Sequence, residues 1–287
     1  MKPLYTQHTT LSDKYICERF EFFLAEDRAL HDLSTQFSIN QNAFVQAHLV
    51  AEETLIFVGT PILNAIFNNQ RVELKINDGE TCNAGDIIAT ITGPASLLLS
   101  YERILLNLIQ RLSGIAFLTS KYVQALSSSK IKILDTRKTT PGIRLFEKYA
   151  VNVGGGYNHR LDLFDGIMLK DNHLSMSPNV SEVICNIKKQ YPDKHIQIEI
   201  DYFAQLEKYI KNNLPIDAVL LDNMSRADTI KSVEYINKTI PQCFIESSGG
   251  INLNNISNYI GTGIHAISIG ALTHQAASKN IKLEFDV

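Results

Sequence analysis

A chain of 287 residues is long enough to bury a sizeable core, as one large or two modest domains. With 45% hydrophobic and 20% charged residues it has a soluble, globular composition, and a net charge of −3 argues against the basic footprint of a general nucleic-acid binder. No apolar run approaches the ~20 residues of a membrane span, no basic-then-apolar leader opens the chain, and Cys17, Cys82, Cys185 and Cys243 lack zinc spacing; the expectation is reduced thiols in a cytoplasmic protein with no nucleic-acid or membrane partner.

The first ten residues are polar and are read as loose. Ser12 to Ala29 reads as a helix with Ile16, Phe20, Phe23 and Leu24 on one face and Ser12 or Asp13 as its cap. Phe44 to Val58 is strand-rich, and Pro61 to Phe67 fits a short helix. Val72, Leu74 and Ile76 alternate with polar residues as in a half-exposed strand, and Ile87 to Thr92 is a further strand after the turn signals Asp78-Gly79 and Asn83 to Asp86. Gly93-Pro94 is expected to break the chain before an apolar helix, Ser96 to Leu112, buried on several sides and carrying Glu102, Arg103 and Arg111. Ser113-Gly114 is expected to kink or end that helix, with a second one running to about Leu126.

From Lys130 onward, short apolar runs end near Asp135, Lys170, Glu199, Asp222, Ser247 and Gly270. Helical stretches at Asn179 to Gln190, Phe203 to Asn212 and Arg226 to Lys238 separate most of them, and the weaker run Ala150 to Val153 adds a candidate strand. This alternation predicts six or seven parallel βα units, short of the eight of a full barrel. The fold class expected is α/β plus α+β: an incomplete α/β barrel of parallel strands with an N-terminal α+β, sandwich-like domain. An open doubly wound sheet is the alternative. The domains expected are 1–112, joined by a returning C-terminal strand within 275–287, and a catalytic 113–274.

The segment Asp135 to His173 places cations where apolar runs stop: Arg137 and Lys138, His159 and Arg160, Lys170. Cations at strand ends suggest a pocket for an anion bearing several charges, which Arg grips with paired hydrogen bonds and Lys as a point charge. Glu199 and Asp222 end two successive runs and could share a Mg²⁺; a salt bridge from Glu199 to Lys170 is the plain alternative. Asp171 and Asp201 are weaker candidates, and Arg111 and Lys121 stay undecided. Small residues at Ser248, Gly249 and Gly270 follow the last two runs, where barrels commonly hold phosphate, with His274 close behind. His48 and His195 read as structural or surface residues.

In order, DTRKTTPGIR, EKYAV, GGG, HR and LKDNH closely resemble the core signature of the quinolinate phosphoribosyltransferases, also called nicotinate-nucleotide pyrophosphorylases (decarboxylating). The likeness runs from about Glu26 to Phe285. ERILLN and RLSGIA are similar too, whereas the family's early ED…GDLTT segment departs at His31 and Ser34, which touches a local turn rather than the chemistry. The resemblance implies transfer of ribose 5-phosphate from phosphoribosyl pyrophosphate to quinolinate with decarboxylation. It implies that Arg137, His159, Arg160 and Lys170 grip quinolinate, with Lys138 on the dicarboxylate or the pyrophosphate. Arg103 would arrive from a second subunit of a homodimer or larger homo-oligomer. Lys138, Lys170, Glu199 and Asp222 would carry the catalysis, Mg²⁺ would sit on Glu199 and Asp222, and Ser248, Gly249, Gly270 and His274 would hold phosphate. The rivals are a molybdenum-transport-associated relative, a nicotinate or nicotinamide phosphoribosyltransferase, and a non-catalytic anion-binding protein.

Overall fold

In the computed structural model, which describes residues 3–40, 42–211 and 214–286, the first helix starts where a side chain can stand in for the missing backbone acceptor. Ser12 Oγ accepts the Tyr15 N–H at 3.3 Å and opens α1 (Asp13–Asp27). The helix buries Ile16 and Phe20, the latter against Ala29 and Ile104. Asp32 caps α2 (Leu33–Ser38) in the same way. α3 (Thr60–Ile66) is capped from a distance: Asp78 Oδ1 accepts the Gly59 and Thr60 N–H groups at 2.8 and 2.7 Å, and Asp78 Oδ2 accepts the Tyr149 hydroxyl at 2.7 Å.

These elements belong to one of two compact units, made of His8–Thr119, Leu145–Gly155 and the stretch from Gln275. Its antiparallel sheet joins β1 (Phe44–Ala51), β3 (Arg71–Leu74), β5 (Ile87–Pro94) and the C-terminal β12 (Ile281–Phe285) in the order β12-β1-β5-β3. A two-stranded pair, β2 (Leu55–Ile56) with β4 (Thr81–Cys82), stands apart. Gly93 and Pro94 do not break the chain but continue β5, opposite Val45 and Phe44. The expected break at Ser113-Gly114 is also absent: α4 runs unbroken over Ala95–Ala125. Its small residues serve close approach instead. Ser113 Oγ accepts the Val58 N–H, and a Cβ on Gly114 would stand 2.0 Å from the Ala277 carbonyl oxygen. The candidate strand Ala150 to Val153 is the last turn of α5 (Arg144–Val153), in which Phe146, Tyr149 and Ala150 recur at helical spacing within a stretch, Phe146 to Val151, that is buried throughout.

The second unit comprises the stretch up to Gln7, Ser120–Arg144 and Gly156–His274. Its strands are β6 (Lys132–Leu134), β7 (Ile167–Leu169), β8 (Ile196–Ile200), β9 (Ala218–Asp222), β10 (Phe244–Ser248) and β11 (Ala266–Ser268). All are parallel, in the order β6-β11-β10-β9-β8-β7. The helices α6 (Asp171–Met176), α7 (Val180–Gln190), α8 (Phe203–Tyr209), α9 (Arg226–Thr239) and α10 (Ala271–His274) follow strands in turn. α8 stops short of the expected Asn212, which lies outside the described residues. Beyond β6 the chain adds a single bridging residue. Tyr157 forms a parallel bridge to Leu134, its N–H donating to Ile133 O and its carbonyl accepting from Asp135 N. Of the ten N-terminal residues expected to be loose, the first two lie outside the described residues and Thr6, Thr9 and Thr10 are exposed, but Tyr5 is buried.

Candidate active site

Side chains alternate along a strand, so the parallel register sorts every residue of the six-stranded sheet to one face or the other. Ile196, Ile198, Ile200, Val219, Leu221, Ile245 and Ile267 share one face and are buried. The other face carries Met168, Gln197, Glu199, Asp222, Glu246, Ser248 and Ser268, with Lys170 one residue past β7. The polar residues that interrupt apparently apolar runs therefore converge on one side. On that side Ala218, Phe244 and Ala266, the first residues of β9, β10 and β11, cluster with Leu134, the last residue of β6. At the C-terminal ends the same side bears charge.

Arg137 and Arg160 form the positive part. The loop holding Arg137 is tied down by Arg144, whose Nε donates to Thr139 Oγ1 and whose Nη1 donates to Leu161 O at 3.1 Å, one residue past Arg160. Arg160 is buried and donates from Nη1 to Gly166 O at 2.7 Å. Burial first, then the Arg137 guanidinium beside it, pulls the Arg160 guanidinium below its ordinary basicity. Arg137 Nε is buried with no hydrogen-bond partner among the described residues. Two neighbouring cations, one with a buried donor unused, can together grip an anion.

Lys170 donates to Glu199 Oε2 at 2.6 Å, so the salt-bridge alternative for Glu199 is realised. The Lys170 side chain remains 45% exposed, which leaves its ammonium accessible to a further partner. Lys138 reaches the opposite side of the strand ends. A Cβ on Gly270 would stand 2.8 Å from Lys138 Cδ and 3.1 Å from His274 Nε2, and Lys138 O accepts the Thr273 hydroxyl at 2.5 Å. Lys138, Gly270 and His274 thus share one corner. Next to it, Ser248 Oγ lies 3.5 Å from Ser268 O. Gly249 and Gly250 turn the chain with φ of +88° and +63°, a left-handed conformation that glycine adopts without strain. Asn223 Nδ2 donates to Asp222 Oδ2 at 2.6 Å, and Asn223 Oδ1 lies where a Cβ on Gly249 would go.

His159 sits deeper than the other predicted residues and is 4% exposed. Its Nδ1 accepts the Arg160 N–H at 2.8 Å, which puts the ring proton on Nε2, 3.5 Å from Glu246 Oε2. Asp135 carries the backbone here: its Oδ1 accepts the His159 N–H and its Oδ2 the Asn158 amide. Burial pushes the fully buried Glu246 carboxyl up, but facing His159 and hydrogen bonds from His159, Ser268 and Gln197 outweigh it and hold the carboxyl below the usual range. Glu246, Gln197 and Arg144 were not singled out from sequence. A carboxylate inside the run FIESS was the available signal, since a charge buried in a strand must be paired.

One unit therefore brings together Arg137, Lys138, His159, Arg160, Lys170, Glu199, Asp222, Ser248, Gly249, Gly270 and His274. Arg103 belongs to the other unit and is an exposed residue of α4 rather than a buried one. Arg111 is structural within that unit, donating to Glu147 Oε1 and to Ala276 O. Glu199 is level with Leu220, so Asp222 lies diagonally across from it on the neighbouring strand. Among the described residues no group of three or more His, Cys, Asp or Glu could cage an ion. Two carboxylates are the set Mg²⁺ uses when phosphate oxygens and water fill its other positions, so the pair fits that ion.

Residues 115–284 match the family model described as "Quinolinate phosphoribosyl transferase, C-terminal domain", and residues 32–113 match the corresponding N-terminal domain. A probable nicotinate-nucleotide pyrophosphorylase (carboxylating) of Bacillus subtilis is 41% identical over 268 residues, covering 91% of this chain and 90% of the relative. The nicotinate-nucleotide pyrophosphorylase (carboxylating) of Mycobacterium leprae is 35% identical, covering 92% and 98%. Among solved structures, the nicotinate-nucleotide pyrophosphorylase from Francisella tularensis superposes with a TM-score of 0.88 at 31% identity, over 98% of this chain and 100% of that one.

Proposed function

Since the chain belongs to the quinolinate phosphoribosyltransferase family, we propose that it transfers ribose 5-phosphate from phosphoribosyl pyrophosphate to quinolinate and decarboxylates the product, yielding nicotinate mononucleotide, carbon dioxide and pyrophosphate for NAD biosynthesis. The observation that carries this reading is the Arg137–Arg160 pair, two like charges with Arg160 buried and Arg137 Nε buried without a partner among the described residues, in the unit that also holds Lys170 just past β7. A pyridine dicarboxylate supplies the missing negative charge with the planar oxygens that guanidinium groups grip.

Arg137, Arg160 and Lys170 hold the carboxylates, and His159 fixes Arg160 from beneath. The ring nitrogen attacks the anomeric carbon as the bond to pyrophosphate breaks, so no side chain acts as nucleophile. Lys138, in the corner with Gly270 and His274, balances charge on the departing pyrophosphate. Ser248, Gly249 and Gly270 let backbone N–H groups approach the 5-phosphate. Glu199 and Asp222 would hold Mg²⁺, which adds positive charge against the pyrophosphate when bound. Once alkylated, the ring is cationic and takes up the electron pair left when the bond to the 2-carboxylate breaks. A proton then replaces the lost carbon dioxide. The protein's contribution is orientation and electrostatics.

A homodimer with Arg103 reaching the partner's site is part of this proposal. The exposure of Leu30 (81%), Phe37 (86%) and Leu33 (66%) in the unit that carries Arg103 supports it. No helix among the described residues is long and apolar enough to cross a membrane. The four cysteines are free thiols, which supports a cytoplasmic setting. Purified protein with quinolinate, phosphoribosyl pyrophosphate and Mg²⁺ tests the reaction: quinolinate-dependent release of carbon dioxide and pyrophosphate is expected. Turnover of nicotinate without carbon dioxide, or tight quinolinate binding without pyrophosphate release, would overturn it.

A further inference from the structure

The start of the chain is built into the interior beneath the cationic cluster. Leu4 packs on Ala218, Phe244 and Ala266, which open β9, β10 and β11, and on Leu134, which closes β6. Tyr5 is 7% exposed, and its ring stacks on His159 with centroids 4.6 Å apart and planes 28° from parallel. Its hydroxyl donates to Gln197 Oε1 at 3.2 Å, while Gln197 Nε2 donates to Glu246 Oε2 at 2.8 Å. Gln7 clamps the adjoining backbone reciprocally: its Nε2 donates to Asn158 O at 3.1 Å and its Oε1 accepts the Asn158 N–H at 2.8 Å. A Cβ on Gly166 would stand 2.5 Å from the Tyr5 ring, so the chain entering β7 leaves room for that ring specifically.

His159 thus has the Tyr5 ring against one face, Glu246 facing Nε2, and the Arg160 N–H on Nδ1. The last of these matters most. Arg160 stands beside Arg137, so its guanidinium stays in place against repulsion, and anything that loosens its backbone lets it swing away.

We propose that the N-terminal segment is a positioning element of the active site: Tyr5 pins the plane of His159, whose Nδ1 anchors Arg160, and thereby sets the affinity for the dicarboxylate. This rests on the functional reading above. Full-length Tyr5→Ala and Tyr5→Phe variants test it, by steady-state kinetics with each substrate varied and by ¹⁵N NMR of histidine-labelled protein. The wild-type chain and Tyr5→Phe, which keeps the stacked ring, are expected to show His159 protonated at Nε2 and bare at Nδ1, with quinolinate KM within about twofold of each other. Tyr5→Ala is expected to raise the quinolinate KM by about tenfold or more, leave the phosphoribosyl pyrophosphate KM unchanged, and shift the His159 resonances. Equal changes in both KM values alongside a lowered melting temperature would mean a merely structural plug and overturn the proposal, as would an unchanged quinolinate KM. If Tyr5→Ala does not fold, Tyr5→Leu keeps most of the buried volume without a flat ring and gives the same readings. Should wild-type protein fail to turn over quinolinate, the functional reading falls, and unchanged His159 resonances in the variant then refute the pinning separately.

Discussion

Substituting alanine for Gly249 probes the turn after β10 most directly. Two costs act at that position. An L-residue in the left-handed region that Gly249 occupies, at φ +88°, loses about 1–2 kcal/mol. The added methyl would also lie 2.3 Å from Asn223 Oδ1, so the Asn223 side chain must move. Its Nδ2 is bonded to Asp222 Oδ2 and its backbone N–H to Ser248 O, so the shift gives up the side-chain bond to Asp222. That bond is exposed to water, which replaces it, so its loss adds about 0.5–1.5 kcal/mol. Gly249→Ala should therefore destabilise the fold by about 1.5–3.5 kcal/mol. Gly250 is the internal control, because its φ is also left-handed but a methyl there would meet Asn223 Oδ1 only at 3.8 Å. Gly250→Ala should show the backbone cost alone, about 1–2 kcal/mol. Urea unfolding followed by circular dichroism measures both, and kinetics should show a raised phosphoribosyl pyrophosphate KM for Gly249→Ala with quinolinate KM little changed. Equal destabilisation of the two variants, or no change in either KM, would show that the Gly249–Asn223–Asp222 contact does not matter.

Arg137→Met removes the like-charged neighbour of Arg160, so the melting temperature should hold or rise while quinolinate affinity falls by the ~2–5 kcal/mol of a lost buried charge contact; calorimetry showing intact binding with a lowered melting temperature would contradict this. The Glu246 carboxyl is held below its ordinary 4.5 in the folded chain. Its stabilisation is complete above that value and is lost as pH falls through the folded value. Glu246→Gln should therefore lose less stability than wild type as pH falls below about 5 in denaturation experiments, and an identical acid limb would remove the carboxylate's role. Mixing Arg103→Ala with Lys170→Ala protein should restore part of the activity if hybrid dimers contain one intact site; no recovery after verified subunit exchange counts against a shared site.

Most of the parallel sheet could be read from sequence because its strands are apolar on the helix-covered face and punctuated by polar residues on the other. IQIEI shows how this works: three isoleucines mark the strand, while Gln197 and Glu199 alternate onto the functional face. Reading only the polar residues that end each run found Lys170, Glu199 and Asp222 but passed over Gln197 and Glu246, which lie within runs. Ala150 to Val153 was misread because four apolar-rich residues have no distinguishable period; the helical spacing shows only with Phe146 and Tyr149 included. Ser113-Gly114 looked like a helix end, yet its small size answers to the Ala277 backbone, far along the chain. Tyr5 had no signal at all, since a lone aromatic in a polar stretch acquires meaning only from Gln197 and His159.

The interleaving of the two ends of the chain fixes when each half can be finished during synthesis. β1 lacks its outer neighbour until β12 has emerged, and Tyr5 meets Gln197 only after a further 192 residues have been joined. At ribosomal speeds of about 5–20 residues per second, that aromatic ring waits on the order of 10–40 s for its hydrogen-bond acceptor. Leu4 and Tyr5 therefore lack these partners for most of translation, so the N-terminal stretch joins its core late rather than nucleating it.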